Sequence, residues 1–387
     1  MQRAGVYIHV PFCRSRCSYC DFATGAYEGQ LAERYVCALT KEIAAFDSAR
    51  LAPNPAADAA TDGPDTIYFG GGTPSLLTPG QVERVLAAVR ARFPVSANAE
   101  VTLEMNPGTV TPELARGFRR AGVNRASFGL QTFDDEQLRR LGRTHTADDA
   151  RRTLEVLRAA GFSNLSFDLI AGLPGQTVAQ WARNLDEALA LRPEHLSLYL
   201  LEVHEGTPPA DQLRRGFWPQ PDPDTAAEMY RLLCERADEA GYAQYEISNF
   251  CRPGFESAHN LKYWTGAPYY GFGCSAHSYD GAASRWSNER DAALYCGLVE
   301  SAGTGLVETT KLSGDEAGAE ALFLGLRLTR GVDLKEHRAR FGGDVRADYA
   351  DDLARFREAG LVEFDGDRLR LTRDGALLSN EVFAAFV

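Results

Sequence analysis

Apolar residues in the first half of the chain keep two alternating rhythms. Short runs dense in apolar and β-branched residues read as strands: VYIHV (6–10), TIYFG (66–70), EVTLEM (100–105), RASFGL (125–130), LSFDLI (165–170) and LSLYLL (196–201). Between them lie longer stretches in which apolar residues return every three or four positions: LAERYVCALTKEIAAF, GQVERVLAAVRARF, PELARGFRRAG, ARRTLEVLRAAG and VAQWARNLDEALAL. Several strands are almost continuously apolar, as parallel strands covered on both faces should be. Six β–α units in succession predict a parallel sheet with right-handed crossovers. Such a sheet is either doubly wound or a barrel with six of the usual eight units. The motifs described below favour the second, a partial (β/α)6 barrel over residues 1–205.

The alternation stops near residue 205. Residues 206–310 hold a proline-rich bend (WPQPDPD), a helical stretch (TAAEMYRLLCERADEAG) and an aromatic, glycine-rich run, and they are read as a second region. Residues 311–387 carry helical patterns followed by LVEFDGDRLRLTRDG, a hairpin around DGD, which predicts an α+β winged-helix-like module. Modules of that kind often bind DNA. This one has 12 Lys and Arg against 15 Asp and Glu, so a structural cap or lid is the expectation. ARLAPNPAADAATDGP, residues 49–64, reads as a mobile surface connection without a functional role.

Composition narrows the class. At ~100–200 residues per domain, 387 residues call for more than one unit. No apolar run reaches the ~18 residues of a membrane span, and MQRAGVYIHVPF has neither a signal peptide's apolar region nor a transit peptide's Arg/Ser bias. A cytoplasmic protein is expected. The net charge of −12 argues against a general nucleic-acid binder and gives no electrostatic pull toward anionic lipid. Eight cysteines are few for this length, and an intracellular chain keeps them reduced. Cys37, Cys234 and Cys296 sit in helical patterns and are expected as small buried hydrophobes; Cys251 and Cys274 are less settled by their surroundings.

Cys13, Cys17 and Cys20 are different. They form C-x3-C-x2-C directly after the first strand. A tetrahedral zinc site needs four ligands, and the fourth would have to be His9 or a distant residue. An electron-transfer [4Fe–4S] cluster needs four thiolates. Three thiolates on a four-iron cube leave one iron open, which is where chemistry or a cofactor enters a catalytic metal centre.

This triplet, with the aromatic Tyr19 before its last cysteine, resembles the signature of the radical S-adenosylmethionine (SAM) enzymes. The resemblance implies a [4Fe-4S] cluster whose open iron is chelated by the amino and carboxylate groups of SAM. It also implies that electron transfer from the reduced cluster cleaves SAM to a 5′-deoxyadenosyl radical. Ligands of parallel β/α folds gather at the C-terminal strand ends. There, Gly71, Gly72 and Thr73 in GGGTP look like the family's counterpart of a SAM-binding GGE stretch. Glu104 in LEMNPG, Gln131 in FGLQTF, Arg143 in LRRLGRTH and Asp168 in FDLIAGLPGQT fall at or near strand ends and are expected SAM contacts. Asp168 interrupts an apolar strand, where burial without a partner is costly, and a ribose hydroxyl would satisfy it. Tyr7 shares a face with His9 and is read as a further SAM contact, along with Tyr19.

YIHVPFC…CSYC, GGGTPS, SFGLQTF and DLIAGLPGQT together resemble the oxygen-independent coproporphyrinogen III oxidases, HemN and its relatives, over essentially the whole chain. In that likeness residues 206–310 become a haem- or substrate-binding region. HemN oxidases carry one more cysteine two positions after the third; here that position is Phe22. HNLKYW, residues 259–264, matches the HNxxYW motif of HemW-type haem chaperones, which implies His259 as a haem-iron ligand with Tyr263 and Trp264 against the porphyrin. Cys274 and His277 nearby are candidate second ligands, though a structural role is the expectation for both. The resemblance therefore implies a haem chaperone with client haem proteins as partners, and the family precedent adds homodimers and partners at the cytoplasmic membrane. The rival is the oxidase itself, making protoporphyrinogen IX in porphyrin biosynthesis; a zinc-stabilised binding module is the third reading.

Overall fold

The computed structural model describes residues 2–20, 22–47, 63–201, 208–219 and 222–386. Nearly all of the connection expected at 49–64 lies outside them. All six strands expected from the apolar runs form: β1 (Gly5–Val10), β2 (Thr66–Gly71), β3 (Glu100–Met105), β4 (Arg125–Gln131), β5 (Leu165–Ala171) and β6 (His195–Leu200). They pair in parallel in that order.

The sheet then continues beyond the six units. β7 (Ala243–Glu246) and β8 (Asn249–Cys251) extend the β6 edge antiparallel. At the other edge β9 (Tyr269–Phe272) pairs in parallel with β1, followed by β10 (His277–Tyr279), β11 (Ser284–Asn288) and β12 (Leu306–Lys311). Among the described residues this makes one twelve-stranded sheet, whose strands β9-β1-β2-β3-β4-β5-β6 run parallel.

Strand alternation sorts the side chains into two environments. Val6, Ile8 and Val10 are buried toward the helical layer, while Tyr7 and His9 point to the opposite, concave face. Tyr68, Glu104, Arg125, Asp168 and His195 occupy the corresponding positions on neighbouring strands, so the concave face is polar and aromatic. The outer helices earn their places by apolar stripes. In Gly29–Ala45 the buried residues include Ala32, Tyr35, Val36, Leu39 and Ile43, one face at helical spacing. Cys37 falls off that stripe and is exposed, against the expectation of burial; Cys234, Cys251, Cys274 and Cys296 are buried. Threonine N-caps with reciprocal Gln81, Asp149 and Gln180 start three of these helices, each cap worth about 1 kcal/mol.

The C-terminal region builds its own small core. Helix Gly314–Leu326, five shorter α-helices and a three-stranded sheet surround Leu322, Leu326, Leu353, Phe356, Val362 and Leu369. The expected hairpin is β14 (Val362–Asp365) with β15 (Arg368–Leu371), and β13 (Val332–Asp333) adds to it. The region is tied to the main sheet through Glu246. This fully buried carboxylate accepts from Ser248 N–H at 2.9 Å and pairs with Arg327 at 3.2 Å.

Candidate functional site

The cysteine loop leaves the end of β1 and folds back on the residues just after it, Phe12–Cys13 pairing in parallel with Gly25–Ala26. Gly25 N–H donates to Pro11 O at 2.7 Å and Tyr27 N–H to Cys13 O at 3.0 Å, closing the loop at its base. Ser18 N–H reaches Leu141 O at 3.1 Å, and Tyr19 packs on Leu141, Ile170 and Leu173, pinning the loop to the barrel rim. His9 holds the far side. Its Nε2 donates to Ala23 O at 3.0 Å while Nδ1 accepts from Tyr7 OH at 3.1 Å, and burial lowers its pKa, which keeps the ring neutral for this double role.

The loop carries three half-buried free thiols. Burial raises the pKa of Cys13 and Cys20, and the neighbouring cysteines add to it. Arg143 opposes this: its Nη1 lies 3.4 Å from Cys17 Sγ. Thr73 Oγ1 lies 3.7 Å from Cys13 Sγ. Three neighbouring thiolates are stable only against positive charge, which bound iron would supply; among the described residues they do not close on a single metal ion. The donor set therefore fits a cluster with one iron left open. It fits zinc poorly, because both nitrogens of His9, the nearby fourth ligand, are engaged.

The expected SAM residues gather around this loop at the C-terminal strand ends. Gly71 has φ +108°, and an added Cβ would sit 2.5 Å from the His9 ring; at Gly72 it would sit 2.7 Å from Phe12 O. Only glycine permits that approach. Gln131 follows a bulge in β4 with φ +72°, and its amide lies over Gly129, where a Cβ would meet Nε2 at 2.4 Å. Glu104 accepts from Tyr68 OH at 2.7 Å, and burial with nearby Asp168 pushes its carboxyl up to about 7. Asp168 finds a partner within the fold: Ser197 across the β5–β6 pair hydrogen-bonds it, while burial raises its pKa. Arg143 Nη2 donates to Asn106 Oδ1 at 3.0 Å, and its buried Nε has no partner among the described residues. That orphaned donor stands beside a small open recess lined by Arg14, Cys17, Thr73, Asn106, Arg143 and His145. An anionic group such as a carboxylate suits it.

HNLKYW lies at the opposite end of the strands. Helix Ala258–Thr265 is docked by Glu100, the first residue of β3, which accepts from Ala258 N–H and His259 N–H, each at 3.2 Å. His259 is 1% exposed, so it is part of the barrel floor. Its Nδ1 contacts Thr66 Oγ1 at 2.8 Å, its Nε2 contacts Tyr263 OH at 3.0 Å, and its ring stacks beneath Tyr68 and Tyr7 at 5.1 and 6.3 Å between centroids. Burial, Lys262 and Arg125 push its pKa down to about 3. Trp264 is covered by the Arg327 guanidinium at 4.3 Å, which joins the motif to the C-terminal region. The structure thus presents no free His259 nitrogen to iron and separates this trio from the cysteine loop. Removing the ring opens a cavity under two tyrosines and strands Thr66, so His259→Ala is expected to destabilise the ligand-free protein by about 2–4 kcal/mol, measured by denaturant unfolding.

Several residues of the site are not singled out by any motif. Tyr68 and Arg125 become visible only when strand alternation is read as two faces, and Asn106, one residue past β3, only through its contacts with Thr73 and Arg143. Arg125 is a fully buried guanidinium on the concave face, with Nε unpartnered among the described residues.

With this geometry in place, known proteins give a consistent picture. Residues 7–188 match the family model described as the radical SAM superfamily, and residues 312–378 match the HemN C-terminal domain. The chain is 36% identical over 382 residues to the heme chaperone HemW of Bacillus subtilis (strain 168), covering 98% of both chains. It is 36% identical over 389 residues to the mitochondrial radical S-adenosyl methionine domain-containing protein 1 of Bos taurus, covering 97% of this chain and 85% of that one. Among solved structures, coproporphyrinogen III oxidase (HemN) from Escherichia coli superposes with a TM-score of 0.83 at 25% identity, covering 99% of this chain and 90% of that one.

Proposed function

Because the chain belongs to the HemW-type branch of the HemN-like radical SAM family, we propose that it is a haem chaperone, which binds haem and hands it to client haem proteins. The observation that carries this reading is the end-to-end likeness to proteins named heme chaperone HemW. Phe22, 65% exposed where the oxidases place a further cysteine, points the same way.

In this reading Cys13, Cys17 and Cys20 hold a [4Fe–4S] cluster. Gly71, Gly72, Thr73, Glu104, Gln131, Arg143, Asp168, Tyr7 and Tyr19 would hold SAM. When bound, that pair supplies one-electron chemistry at a sulfonium centre. The chain's own part is to fix the geometry: Arg143 takes the cofactor's carboxylate, Glu104 a cationic group, and Asp168 a hydroxyl. Haem ligation by His259 requires Tyr263 to release Nε2 and the helix to leave the barrel floor, so haem capture would be coupled to opening at the joint with residues 311–387. Residues 206–310 then serve haem and the C-terminal region acts as a cap, in the cytoplasm and with haem proteins as acceptors. Among the described residues no helix is long and apolar enough to cross a membrane.

The oxidase reading keeps support from the HemN likeness in fold. One experiment separates the two. Anaerobically reconstituted protein is titrated with haem, mixed with an apo-haem protein, and in parallel incubated with SAM and coproporphyrinogen III. Saturable haem binding, transfer to the acceptor and no protoporphyrinogen are expected. Stoichiometric protoporphyrinogen without haem retention overturns the chaperone reading.

A further inference from the structure

Resting on the reading that a four-iron cluster occupies the cysteine loop, we propose that Asn106 is a positioning residue for that cluster. Its single side-chain amide sets the hydrogen bonds made to two of the three ligating sulfurs.

Asn106 follows β3 and touches no sulfur itself. Its backbone is fixed by Thr109, whose Oγ1 donates to Asn106 O at 2.7 Å. The orientation of its amide is forced by its partners. Arg143 Nη2, 3.0 Å away, can only donate, so the atom facing it is Oδ1. Nδ2 is then left to donate to Thr73 Oγ1 at 2.8 Å. A threonine hydroxyl has one proton. With one of its lone pairs taken by Asn106, that proton is free to point to Cys13 Sγ, 3.7 Å away. An iron-bound sulfur has no proton and can only accept, so the direction of this bond is settled.

The second arm runs through Arg143. Its Nη2 is held both by Asn106 Oδ1 and by Gly129 O at 2.5 Å, which sets the guanidinium plane and turns Nη1 to Cys17 Sγ at 3.4 Å. One amide therefore aims a hydroxyl at Cys13 and a guanidinium at Cys17. Hydrogen bonds to cluster sulfurs stabilise the reduced form, which carries the extra negative charge, and so raise the reduction potential.

The test is a potentiometric titration of anaerobically reconstituted protein, followed by the paramagnetic signal of the reduced cluster. Asn106→Leu removes the amide that aims both arms without adding charge, leaving Arg143 on Gly129 O alone and the Thr73 hydroxyl free to turn from Cys13. At fixed potential its ratio of reduced to oxidised cluster is expected to fall about tenfold, equivalent to about 59 mV for a one-electron couple. Thr73→Val, which removes only the Cys13 arm, should move the ratio in the same direction by about threefold, and the double variant no further than Asn106→Leu alone. A ratio within about twofold of wild type in Asn106→Leu overturns the proposal. A purely structural asparagine would lower the thermal midpoint and leave the ratio in place. If Asn106→Leu fails to retain iron, Thr73→Val carries the test, and an unchanged ratio there overturns the relay equally. Failure of the cluster reading itself is distinguishable, because wild-type protein would then give no four-iron signal.

Discussion

Cys17→Ser is expected to lower the iron and acid-labile sulfide of anaerobically reconstituted protein by about tenfold or more. A serine hydroxyl does not ionise near neutral pH, so it offers iron neither the charge nor the soft donor of a thiolate. The loss is not confined to one bond. Arg143 Nη1 now sits 3.4 Å from that sulfur, and its charge would face a neutral oxygen beside two thiols that burial and mutual repulsion already hold protonated. Cys13→Ser and Cys20→Ser should behave alike. Cys37→Ser is the matched control: that thiol is exposed on an outer helix and should leave iron content unchanged. Full iron and sulfide in the triple serine variant would remove the basis for any cluster on this loop.

The sequence made this loop readable because its chemistry is local. Three thiols within eight positions after a strand can be recognised without knowing anything of the fold, and the six strands announce themselves through apolar runs bounded by helical periods. The face of each strand was harder to read. Runs such as LSFDLI look apolar throughout, yet Ser166 and Asp168 alternate onto a polar lumen while Leu165, Phe167 and Leu169 pack outward. Asp168 looked like a buried charge in need of a ligand because Ser197, its partner, lies across a strand pairing that one sequence does not specify.

The second half hid its strands for a related reason. β9 is YYGF, four residues with a glycine that admits the close approach of His277 O, and it becomes the parallel neighbour of β1 from far along the chain. No local pattern distinguishes that from a loop. The same holds for Glu42. It reads as a surface carboxylate on an amphipathic helix but is buried, accepting from Gly273 N–H at 3.0 Å, Asn288 at 2.8 Å, Tyr295 OH at 2.7 Å and Gly305 N–H at 3.1 Å. HNLKYW is legible as a motif, but motif identity does not specify exposure. The hydrogen bonds that occupy both nitrogens of His259 come from Thr66, distant in sequence, and Tyr263, within the motif itself.

SAM binding should tighten roughly 20-fold between pH 5.5 and 7.5, because each pH unit below a ligand-coupled pKa costs about a factor of ten. The group responsible is Glu104. In the ligand-free protein its carboxyl is raised to about 7, chiefly by burial, with Asp168 adding to the shift and Tyr68 OH, Gly71 N–H and Arg125 opposing it. A cationic cofactor beside it restores the carboxylate, so binding releases a proton below pH 7 and none well above it. The stability of the ligand-free protein has the opposite sign. A carboxyl whose folded pKa exceeds its unfolded value near 4.5 contributes stability below 4.5 and loses that contribution as pH rises to 7. Thermal midpoints without SAM should therefore lose this contribution from pH 5 to 8, and saturating SAM should offset the loss. Asp168, also raised by burial, titrates in the same direction, which makes the variant decisive. Glu104→Gln keeps the shape, removes the charge, and should bind SAM about tenfold more weakly at pH 8 with a flat profile down to pH 6. Calorimetry in buffers of different ionisation enthalpy reads the released proton directly. An unchanged proton release in Glu104→Gln would assign the step to Asp168 instead.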